Sequence, residues 1–69
     1  MNKFQREALK KRLLKLAMLK STGAPAELAI RFEISERSVK RIVQEIRDEG
    51  TNIRYSQSRR SYVTDEDYQ

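Results

Sequence analysis

Arg37, Lys40, Arg41 and Gln44 are the side chains of this sequence best equipped for chemistry, and their spacing gathers them. At about 100° per residue they share one side of a helix whose other side carries Val39, Ile42, Val43 and Ile46. Arginine donates two parallel hydrogen bonds to guanine O6 and N7, and glutamine pairs in the same way with adenine N6 and N7. Ser35, Glu36 and Ser38 stand at the amino end of this segment, the end that meets base edges when a helix enters a major groove. Glu36 can accept from cytosine N4 but is repelled by phosphate, and it equally suits a first helical turn as a dipole-complementing acid. A second basic set, Arg54, Ser58, Arg59 and Arg60, lies downstream and suits phosphate or minor-groove contact. Either set alone also reads as ordinary solvated charge. Together with the overall balance they point to a polyanion.

That balance is 15 Lys+Arg against 10 Asp+Glu in 69 residues, a formal charge of +5. Asp65, Glu66 and Asp67 hold three of the acidic residues, so seven oppose the fifteen cations ahead of them. Catalysis has little to build from. The chain has no histidine and no cysteine, which removes the commonest general base, thiolate nucleophiles, disulfides and the usual zinc ligands. No glycine-rich phosphate loop is present, and no metal, cofactor or small-molecule ligand is implied. No apolar run approaches the roughly 20 residues that span a bilayer, and the amino-terminal stretch lacks a signal-peptide core. The expected location is therefore the cytoplasm, in association with the nucleoid.

The elements that must carry these residues follow from punctuation and period. Residues 3–21 lack glycine and proline, and Leu9, Leu13, Leu16 and Ala17 trace one helical face, which predicts a helix over 4–21 ending at a left-handed Gly23. Phe4, Leu14 and Met18 lie off that face and offer either a dimer surface or a seat for the C-terminal tail. The cations of this helix encircle it and read mostly as solubilising. The absence of tryptophan and a place in the core weigh against a membrane-surface role. Pro25 and Glu27 open a short helix over 25–32, and Ser35 caps a third over 36–49, which Gly50 stops. Ile53 and Tyr55, then Tyr62 and Thr64, alternate with their neighbours about the polar turn Gln57-Ser58-Arg59-Arg60, so 53–64 reads as a β-hairpin with a mobile tip longer than a tight two-residue turn. Tyr55 and Tyr62 fit hairpin core better than base stacking. Residues 1–64 form one domain, and 65–69 form an acidic tail expected to weaken nonspecific binding to phosphate.

Ala26-Glu27-Leu28-Ala29, Ile34-Ser35-Glu36-Arg37-Ser38-Val39, Ile42, Ile46, Glu49-Gly50, Ile53-Arg54-Tyr55 and Ser61-Tyr62 together resemble the winged helix-turn-helix domain of the DeoR and biotin-repressor type. The resemblance covers roughly residues 9–64. It implies a mainly α (α+β) fold, a three-helix helix-turn-helix core followed by a C-terminal hairpin wing. It also implies sequence-specific double-stranded DNA binding by a small transcriptional regulator. Two positions depart from the pattern. Glu33 stands where the family has a turn glycine, at a cost on the order of 1 kcal/mol, and Ala24 replaces a capping Ser or Thr. The expected partner is double-stranded DNA, with a homodimer or protein partner adding affinity. The rival class is a winged-helix adaptor that meets an acidic protein without reading DNA.

Overall fold

Asn2 opens the first helix, α1 (Lys3–Met18): its Oδ1 accepts the Gln5 N–H at 2.8 Å while the Gln5 side chain accepts the Asn2 N–H at 3.2 Å. This reciprocal cap satisfies donors that a helix start otherwise leaves bare. In the computed structural model residues 2–64 are described, and the acidic tail expected at 65–69 lies outside the described residues. Helix α1 buries Leu13 and Ala17 completely, with Leu9, Leu14 and Leu16 packed part-way against the same cluster. It ends earlier than the expected residue 21. Lys20 takes the left-handed position that closes the helix, at φ 57°, with the Lys20 and Ser21 amides donating to Ala17 and Leu16, and Gly23, left-handed as expected at φ 80°, follows in the loop. Stopping there frees Thr22 to reach the hairpin.

Helix α2 (Pro25–Phe32) starts without a side-chain cap from Ala24. Glu27 compensates by accepting the Ala24 N–H at 2.8 Å. Gly23 makes that possible, since a Cβ there would lie 3.0 Å from Glu27 Oε1 at a φ of +80°. Leu28, Ala29 and Phe32 are buried, and the Arg12 guanidinium lies 5.0 Å from the Phe32 ring centroid. The turn after α2 keeps the geometry a glycine would give. Glu33 sits at φ 59°, and the Ile34 amide donates to Ala29 at 2.9 Å.

Helix α3 (Glu36–Asp48) carries the strongest amphipathic pattern of the three, burying Val39, Ile42, Val43 and Ile46 between α1, α2 and the hairpin. Gly50, at φ 104°, turns the chain toward β1 (Ile53–Ser56). Strand β2 (Ser61–Thr64) pairs antiparallel with β1 in the register Ile53 with Thr64 and Tyr55 with Tyr62. The observed architecture is thus three helices followed by a two-stranded hairpin, mainly helical, as the change of period implies.

The hairpin tip is the four-residue turn 57–60, closed by the Arg60 N–H on the Gln57 carbonyl at 3.2 Å, with Arg60 left-handed at φ 50°. One feature differs from the sequence expectation: β2 does not alternate in burial, and Ser61, Tyr62, Val63 and Thr64 are all buried, with α1 packed against the strand. Thr22 seals its outer edge, accepting the Tyr62 N–H at 2.7 Å and donating its own amide to Ser61 Oγ at 2.9 Å. With the Tyr62 amide turned outward, Tyr55 and Tyr62 form a closely spaced non-hydrogen-bonded pair. Their rings meet edge to face, 5.3 Å apart.

Candidate nucleic-acid interface

Ser35 fixes the start of α3. Its Oγ accepts the Ser38 N–H at 3.1 Å and donates to Ser38 Oγ at 3.1 Å, so the first turn is held from both sides. Arg47 fixes the far end. Its guanidinium donates twice to the Ile53 carbonyl, from Nη2 at 2.8 Å and Nε at 3.2 Å, clamping β1 to the last turn of α3. This role is invisible in the sequence, where Arg47 reads as one more surface cation. The hairpin flanks α3, and Tyr62 lies within the fields of both Glu36 and Arg47. Burial, foremost, and the neighbouring Tyr55 push the Tyr62 hydroxyl above its ordinary pKa of 10.0, Glu36 adds to this, and Arg47 opposes it.

Between these anchors Arg37, Lys40, Arg41 and Gln44 are exposed, opposite the buried face, as their spacing requires. Arg37, Lys40 and Arg41 make no ion pair or side-chain hydrogen bond among the described residues. Gln44 differs. Its Nε2 donates to Asp48 Oδ1 at 2.9 Å and its Oε1 accepts from Arg47 at 3.4 Å, so reading an adenine would first require releasing both. Glu36 is exposed on the first turn, toward the hairpin, and Ser38 is half-buried. On the hairpin, Ser58, Arg59 and Arg60 are exposed at the tip, and Ser58 shares a hydroxyl hydrogen bond of 3.2 Å with Ser56. Arg59 and Arg60 have no acidic partner among the described residues. Arg54 is exposed on β1, opposite Val63.

The first helix contributes more than its circumference of cations suggests. Lys10 is buried, its ammonium paired with Glu49, with Glu7 at 3.3 Å and with Glu45 at 3.7 Å. Arg6 lies 3.6 Å from Glu45. These contacts run in step along α1 and α3, so α3 is held against α1 through Glu45 and Glu49 by charge as well as by the core, and its basic face is left outward. Arg6 thereby joins Ser38, Arg41 and Ile42 around a cleft of about 220 Å³. No protein-family model, no curated protein and no solved structure matches this chain. Its function must be read from these residues. Among the described residues no helix is long and apolar enough to cross a membrane.

Proposed function

We propose that this chain is a double-stranded-DNA-binding module of winged helix-turn-helix type, a small transcriptional regulator that works by binding alone, in the cytoplasm at the nucleoid. In this reading α3 enters the major groove with Arg37 and Lys40 toward base edges, and the Arg59–Arg60 tip rests on adjacent backbone as a wing. One observation carries it. Arg37, Lys40 and Arg41 stand exposed on one face with no acidic partner among the described residues, while Arg6 and Lys10 of α1 are paired with carboxylates. An unneutralised cationic face on a helix capped by Ser35 and clamped by Arg47 suits a rigid polyanion such as duplex DNA.

A single domain of 36 × 23 × 16 Å covers few base pairs, so strong binding calls for a second copy or a protein partner. A competing reading, a protein-binding adaptor, draws on the exposed apolar side chains Phe4, Met18, Leu19 and Ile30. Selection of bound duplexes from a random pool separates the two. Enrichment of a defined motif supports groove reading, and recovery of unenriched DNA supports the adaptor.

A further inference from the structure

The cleft between α1 and α3 is polar, small and charged on one side. Its lining comprises Arg6 from α1 and Ser38, Arg41 and Ile42 from α3. At about 220 Å³ it has room for several waters at roughly 30 Å³ each, the scale of a hydrated tetrahedral oxyanion. Each polar liner has donors to spare. Arg41 has no partner among the described residues. Ser38 Oγ accepts from Ser35 Oγ, which leaves its own hydroxyl proton free to donate. Arg6 Nε is shielded from solvent, faces Glu45 at 3.6 Å and makes no hydrogen bond among the described residues.

Charge strengthens the case. Glu45 is the carboxylate nearest Arg6, and it is divided between Arg6 and Lys10. Among the described residues Arg6 and Arg41 therefore bring two guanidiniums to one cleft, and only Arg6 has a carboxylate partner, which it divides with Lys10. Planar guanidinium forks match phosphate oxygens in pairs, and an anion between them would relieve their mutual repulsion.

We infer that Arg6, Ser38 and Arg41 form a binding site for a phosphate group, which within the DNA-binding reading above is a backbone phosphate flanking the groove that α3 enters. Arg41 then positions the protein on the duplex, and Arg37 and Lys40 are left to the bases. The chemistry of the cleft is the same for inorganic phosphate, so the site can be tested apart from that reading.

The test has two arms on the full chain. Inorganic phosphate is titrated at constant ionic strength against chloride, following the Arg6 and Arg41 Nε–H and the Ser38 amide by NMR. The expected result is saturable shifts confined to these groups, weakened about tenfold in Arg6→Gln and in Arg41→Gln and unchanged in Lys11→Gln. Arg41 is exposed, so its variant keeps the fold even if Arg6→Gln loosens α1. In the second arm the same variants bind random duplex, where each should lower the slope of log affinity against log salt by about 1. Phosphate shifts lost in the variants together with an unchanged duplex slope would assign the site to free phosphate and overturn the backbone contact. Shifts scattered over the surface, or equal with chloride, would overturn the site itself. A chain that binds no duplex but shows the confined phosphate shifts would refute the DNA reading and leave the site standing.

Discussion

Glu33 occupies a left-handed conformation that its own Cβ disfavours, and the turn between α2 and α3 is built on it. Two hydrogen bonds close this turn, from the Glu33 amide to the Ile30 carbonyl and from the Ile34 amide to the Ala29 carbonyl, and they hold the backbone there against a cost of about 1 kcal/mol. Glycine removes that cost but gains entropy in the unfolded chain, so Glu33→Gly should stabilise by about 0.5 kcal/mol in urea unfolding. Gly50, at φ 104°, is the opposite case, and Gly50→Ala should destabilise by roughly 1 kcal/mol or more. Thr22 matters through its hydroxyl. It is fully buried and receives the Tyr62 amide, so Thr22→Val leaves that donor unpaired and should cost about 1–3 kcal/mol in the same assay. The departure at Glu33 was legible in the sequence. Thr22 was not, because its partners Ser61 and Tyr62 lie some forty residues away and a single Thr in a loop carries no periodic signal.

At the scale of elements, the helices and the hairpin follow from local rules: the Ser35 cap, the Val39–Ile46 stripe and Gly50 lie within the reach of local periodicity. What sequence reasoning missed is how elements are joined. Lys10 counted as a surface cation, yet it is buried and joins α1 to α3 through Glu45 and Glu49. Arg47 joins α3 to β1, and β2 is buried on both faces with α1 packed against it. Long-range pairing of charges leaves no pattern in one sequence.

The Lys10 network makes a pH prediction. Its hydrogen bond to Glu49, foremost, then its bond to Glu7 and the two charges raise its pKa above 10.5, with desolvation opposing. A base whose folded pKa is raised stabilises in full below its unfolded pKa and loses that stability as pH rises through the folded value. The stability difference between the native chain and Lys10→Met should therefore be constant from neutral pH to roughly pH 9 and narrow above the ordinary lysine pKa. Thermal melts of both proteins across that range check it. A difference unchanged well into the alkaline range would mean that charge plays no part in the joint.

For the whole molecule, the apolar residues left outside bear on assembly. Phe4 and Met18 are exposed at opposite ends of α1, about 21 Å apart along its axis, and Leu14 is half-buried in the core cluster. At 100° per residue Phe4, Leu14 and Met18 lie on one side of α1, so an elongated face for a second copy or for the C-terminal tail stays open as a proposal. The cationic face of α3 is the larger feature, and the proposed function requires it to read sequence rather than merely attract phosphate. The most direct test titrates an enriched duplex and a random duplex of equal length at several salt concentrations. Arg37→Ala should weaken the enriched duplex by about 1–3 kcal/mol and leave the random one nearly unchanged. Arg59→Ala and Arg60→Ala should weaken both alike and lower the salt slope by about 1 each. Equal losses on both duplexes for Arg37→Ala, or no loss on either, would contradict a base-reading α3.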